Sequence, residues 1–119
     1  MLQSKNIKQF DLEDRTLRFA QDVRAFIKQL PRSISNIEDG KQLVRSSGSV
    51  GANYIEANES LSKKDFVMRI KISRKEAKES VFWLRLLTCD ARAETYRTKL
   101  IQEASELTKI FGAIVEKSK

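Results

Sequence analysis

The sequence predicts an all-α fold, an antiparallel up-down-up-down four-helix bundle that fills a single domain over residues 1–119. Three observations predict it. Four glycines and one proline are too few for the many tight turns of a β-sandwich or barrel of this length. Apolar residues recur at spacings of three and four in four stretches. The breaks between those stretches are short, and short connections between long helices make neighbours antiparallel.

The first helix is expected over about 11–29. Leu17, Ala20, Val23, Ile27 and Leu30 form its stripe, widened by Phe19 and Phe26. Asp11, Glu13 and Asp14 stand where the helix dipole favours negative charge, and Pro31 ends the segment by pushing its predecessor out of the α region. The second helix is expected over about 36–60. Ser35 and Glu38 read as a capping box at its start, with Leu43, Val44, Val50, Tyr54 and Ile55 following. Its middle, Ser46 to Ala52, is poor by propensity, since each glycine costs about 1 kcal/mol relative to alanine. That stretch is either a loop that splits the helix or a small-residue surface that admits a neighbouring backbone.

Ser62 and Asp65 mark the start of a third helix over about 63–88. Phe66, Ile70, Ala77, Val81, Leu84 and Thr88 make its stripe, with a gap at Ser73 and Arg74. A second set, Val67, Phe82, Trp83 and Leu86, falls off that stripe. A helix apolar on two faces needs a second partner surface, so these four are the expected oligomer interface. The fourth helix, about 91–117, carries Leu100, Ile101, Ala104, Leu107, Ile110, Phe111, Ile114 and Val115, with Lys117 and Lys119 at its negative end.

Charge and composition narrow the function. With 23 Lys+Arg against 16 Asp+Glu, the net charge of +7 makes polyanions the natural partners, RNA or DNA ahead of a membrane. Cys89 is the lone cysteine, so a reducing, cytoplasmic setting is expected. The polar stretch Met1 to Asp14 has no secretory h-region, and no apolar run approaches a membrane span. The absence of histidine removes Ser-His-Asp and Cys-His catalysis and every His-containing metal site. No enzyme activity, cofactor, metal or small-molecule substrate is expected.

One catalytic alternative survives that filter. Glu56-x-x-Glu59 and Glu76-x-x-Glu79 are two carboxylate pairs on adjacent helices. Four converging carboxylates could hold Mg²⁺, in the manner of all-α nucleotide pyrophosphohydrolases. A solvated charged face explains the same residues more simply.

The bases are better organised. Between Lys63 and Arg97 there are ten bases against five acids. Lys71, Arg74, Lys75 and Lys78 share one face of the third helix by their spacing. Such a face tracks phosphates without reading sequence. The expected phosphate contacts are therefore Arg69, Lys71, Arg74, Lys75 and Lys78, with Arg45 as a further candidate. A basic face that only solubilises a protein-interaction module is the competing reading.

The segment Gln42-Leu43-Val44-Arg45-Ser46-Ser47-Gly48-Ser49-Val50-Gly51-Ala52-Asn53-Tyr54-Ile55-Glu56-Ala57 resembles the central motif of a bacterial family first noted as open reading frames in intervening sequences of 23S ribosomal RNA genes. Ser62 to Phe66 and Lys75-Glu76-Ala77-x-Glu79-Ser80-x-Phe82-Trp83-Leu84-x-Leu86-Leu87 match that family's third helix in order and spacing. The resemblance implies a four-helix bundle assembled as a ring-shaped homopentamer, with Ser46 to Ala52 helical. A related protein, the accessory protein of diversity-generating retroelements, implies contact with nucleic acid. The resemblance also makes Asn53 and Glu56 motif positions inside a helix, either a polar pair that fixes register or a ligand contact. Val44-Arg45 departs from the paired arginines of many members, and Ala57-Asn58 from their glycine.

Overall fold

The computed structural model describes residues 3–119, with side chains from Leu12 onward. Four helices run in order: α1 (Gln3–Ile27), α2 (Ile34–Asn58), α3 (Lys63–Leu86) and α4 (Ala91–Lys117). No strand occurs among the described residues. Cross-helix bonds give the direction of each pair. Ser46 Oγ meets Ser80 Oγ at 2.9 Å, Ser73 Oγ donates to the Val50 carbonyl at 2.9 Å, and Arg69 Nη1 to Asn53 Oδ1 at 3.2 Å. Residue numbers falling on α2 as they rise on α3 make that pair antiparallel, and the bundle is the up-down arrangement that the sequence predicts.

Each boundary has a local cause. α1 begins earlier than the charge pattern predicts, at Gln3, so Glu13 and Asp14 lie well inside the helix rather than at its dipole end. The Asp11 side chain lies outside the described residues. At the other end the chain tightens into i→i+3 bonds, Gln29 N to the Phe26 carbonyl and Leu30 N to the Ile27 carbonyl, before Pro31. α2 is capped by Ser33, whose Oγ accepts from Asn36 N at 3.1 Å; the capping box read at Ser35 and Glu38 does not form. Asn36 decides this. Its buried amide donates to the carbonyls of Pro31 and Thr88 at 3.0 and 2.9 Å and accepts from Thr88 N at 2.9 Å, tying the first and third connections together. Ser62 caps α3 as its sequence predicts, accepting from Asp65 N at 3.1 Å, and Asp90 caps α4 through Ala93 N at 2.8 Å. The last turn of α3 is held from α4, where the Arg97 guanidinium donates to the carbonyls of Leu84 and Leu87.

The small-residue stretch of α2 is continuous helix. Its use is close approach. A Cβ added at Gly51 would sit 2.8 Å from Thr16 Oγ1 on α1, and Ser46 and Ser47 are wholly buried. Ser73, at the apolar gap of α3, is buried because its hydroxyl donates to the Val50 carbonyl of α2. Packing favourable enough to offset the propensity cost of two glycines comes from these contacts.

On α1 the core line is Phe19, Val23 and Phe26, joined by Thr16 and continued by Leu30 just beyond the helix. The stripe is rotated from the predicted one, and Leu17 is 56% exposed. Thr16 can be buried because its hydroxyl returns to the carbonyls of Leu12 and Glu13 at 2.8 and 3.1 Å. On α2, Ile55 also turns outward. The core otherwise follows the predicted apolar positions of α3 and α4, except that Thr88 falls beyond the end of α3 and is exposed while Leu87 is buried. The Tyr54 and Phe111 rings lie 5.8 Å apart toward the C-terminal ends of α2 and α4.

Candidate nucleic-acid interface

The contact between α2 and α3 turns one side of α3 inward. Ile70, Ser73, Glu76, Ala77, Ser80 and Leu84 are buried. The opposite side is left for Lys71, Arg74, Lys75 and Lys78, all exposed. These four line a groove floored on α4 by Thr108 and Gly112. The Arg74 side chain lies across α4 at Gly112, where an added Cβ would meet its Cδ and Nη1 at 3.7 Å, an ordinary contact. Thr108 turns its hydroxyl away to the Ala104 carbonyl at 2.8 Å. Neither floor residue is a base, and nothing in their sequence context marks them; only the α3–α4 register does.

None of the four bases forms an ion pair within 4.0 Å among the described residues. Their influence is felt only at a distance. Lys75 contributes to lowering the Glu79 carboxyl, and Arg74 to lowering Glu116, whose main partner is Lys119. Four positive charges gathered on one groove with no acid in ion-pair contact repel one another, and a polyanion relieves that repulsion.

The other two predicted phosphate contacts lie elsewhere. Arg69 is half-buried and donates to Asn53 on α2. Arg45, on α2, reaches the Glu76 carboxylate at 3.3 and 3.4 Å and also pairs with Glu79. Trp83 Nε1 completes this cluster by donating to Glu79 Oε2 at 2.9 Å. Donation by the indole and by Arg45 holds the Glu79 carboxyl below the ordinary glutamate range, while Glu76 holds Arg45 in its charged form. The acids that the sequence leaves free beside the basic run are therefore bound on its far side.

Asn53 and Glu56 do not form a buried pair. Asn53 donates its amide to the Ser49 carbonyl and hydroxyl at 3.0 and 2.9 Å and takes the Arg69 bond, whereas Glu56 is exposed. The cross-helix partner of Asn53 is Arg69 rather than Glu56. The four-carboxylate alternative fails on the same register. Glu76 lies opposite Arg45, so Glu56 and Glu59 are displaced by more than ten residues along α2, about 15 Å or more of helix. Among the described residues no group of three or more His, Cys, Asp or Glu is placed to hold a metal ion.

The expected oligomer surface divides. Val67 and Trp83 are half-buried against the chain's own core, while Phe82 and Leu86 are 56% and 49% exposed. Among the described residues no helix is long and apolar enough to cross a membrane.

Comparison with known proteins agrees with this architecture. The family model described as 23S rRNA-intervening sequence protein matches residues 8–113. A solved structure of a protein with unknown function from the S23 ribosomal protein family of Bacteroides thetaiotaomicron VPI-5482 is 30% identical. It covers 87% of this chain and 97% of its own, with a TM-score of 0.75. No match is found among curated proteins.

Proposed function

This chain belongs to the 23S rRNA-intervening sequence protein family, and on that premise we propose that it is a non-enzymatic accessory protein that assembles with its own copies and holds nucleic acid, RNA foremost, on the basic face of α3. The observation that carries this reading is the groove of Lys71, Arg74, Lys75 and Lys78, exposed and without ion-pair partners among the described residues, in a chain of net charge +7. Phosphate contacts of this kind position a backbone and leave bases unread. The family resemblance supports a homopentamer, and a ring would repeat the groove five times and multiply the charge to 5 × 7 = +35.

The proposal is tested by titrating labelled RNA with the purified protein across a salt series while recording solution mass. The expected result is an assembly that binds at low salt and releases RNA steeply as salt rises. RNA that stays unbound at low salt, or a protein partner captured regardless of salt, would support the solubilising reading of the charge instead.

A further inference from the structure

The basic face of α3 is interrupted by an aromatic ring. At 100° per residue, Lys71, Lys75, Lys78 and Phe82 follow one another at steps of four, three and four along one line of the helix, with Arg85 one turn further on. Phe82 is 56% exposed on that line between Lys78 and Arg85, and Leu86 lies beside it at 49%. An exposed phenylalanine is ordinary alone. Here it is held in place. Its ring meets Trp83 edge to face, with centroids 5.0 Å apart and planes at 77°. Trp83 is itself anchored through Nε1 to Glu79, which Arg45 holds from α2. The cluster that keeps Arg45 away from the groove thus braces the aromatic ring at the groove's end.

We infer that Phe82 is a stacking platform for an unpaired base, which makes single-stranded nucleic acid, rather than duplex, the ligand of this face; the inference rests on the nucleic-acid reading above. Lysines repeating about once per helical turn match the phosphate track of an extended strand, and a fixed ring in line with them meets the base that follows. A duplex keeps its bases stacked inside and offers such a ring nothing but backbone. Coverage of Phe82 by a second copy is disfavoured by charge. It would strip water from Lys78 and Arg85 on either side, while the nearby acids of α3, Glu76 and Glu79, are already engaged by Arg45. A braced ring also loses little freedom on stacking, so the contact is inexpensive to form.

The test compares an oligouridylate with an RNA duplex of matching length, using wild type, Phe82→Ala and Phe82→Tyr. Binding is read by anisotropy of the labelled RNA and by fluorescence of Trp83, the chain's single tryptophan. Phe82→Ala is expected to weaken the single strand about tenfold, the size of one lost stack, with duplex binding unchanged. Phe82→Tyr should retain wild-type binding. Trp83 emission should shift with the single strand and not with the duplex. Equal single-strand affinity for wild type and Phe82→Ala would overturn the stack while leaving the basic groove standing. A change in solution mass of Phe82→Ala would overturn it too, assigning the ring to an interface between copies. Failure of the wild type to bind either RNA would overturn both this inference and the reading beneath it.

Discussion

The two sides of α3 carry charges of opposite sign, and the bundle matches one side and leaves the other open. On the side facing α2, Glu76 and Glu79 are matched to Arg45, and Glu79 also takes the Trp83 indole. On the side facing α4 and solvent, Lys71, Arg74, Lys75 and Lys78 have no matched acid among the described residues. Along the sequence the lysines and glutamates of this helix are intermingled, and only their spacing marks a basic face. The structure separates them. Acids are drawn toward a base supplied by another helix, and the bases left behind become a surface potential. Charge on a helix has meaning only after its neighbours have claimed their share.

The largest way to break that contrast is to reverse the open side. Replacing Lys71, Arg74, Lys75 and Lys78 together by glutamate should cut RNA affinity by at least about a hundredfold at moderate salt, because four phosphate contacts become repulsions. Thermal unfolding should change little, since none of the four is paired. A large loss of stability in that variant would show that these bases hold the bundle together.

Disturbing the paired side should give the opposite signature. Arg45→Ala leaves the buried Glu76 carboxylate without its partner and should cost roughly 1–2 kcal/mol of stability in denaturant unfolding, a figure reduced for Arg45's half exposure. RNA affinity should stay within about twofold of wild type if Arg45 makes no phosphate contact. A loss of binding with stability intact would return Arg45 to the interface.

The smallest effects come from pH. The Glu79 carboxyl is lowered in the folded chain by donation from the Trp83 indole and Arg45, so its contribution is present at neutral pH and is lost as pH falls through and below the ordinary glutamate range. Glu79→Gln should therefore flatten the acid limb of the stability curve, read by Trp83 fluorescence. RNA binding, in contrast, should be level between about pH 5 and 8, because the chain has no histidine and lysine and arginine stay charged there. A titration of binding in that window would implicate a group outside the groove.

Much of the fold was legible because its signals are local. The Ser62 cap needs only Asp65, and the α4 stripe needs only its own period. The choice of Ser33 over Ser35 was not legible, since it turns on an Asn36 amide bonded to Thr88, 52 residues away. The rotation of α1 from Leu17 toward Phe19 was hidden by apolar residues on both sides of the true stripe; burial of Thr16 against Gly51 settles it. The candidate site divides in the same manner. Lys71, Arg74, Lys75 and Lys78 share a face by spacing alone, whereas the capture of Arg45 and Arg69 depends on the α2–α3 register. Gly112 beneath Arg74 depends on the α3–α4 register, which no short-range pattern encodes.

The central claim is that the unpaired side of α3 carries the phosphate contacts. Its most direct test is the slope of log affinity for single-stranded RNA against log salt concentration, for wild type and for the variant with all four bases replaced by glutamine. Each neutralised phosphate contributes about −0.7 to the slope, so the wild type should be steeper than the variant by about 3. Parallel slopes would contradict the account and place the contacts on another surface of the bundle.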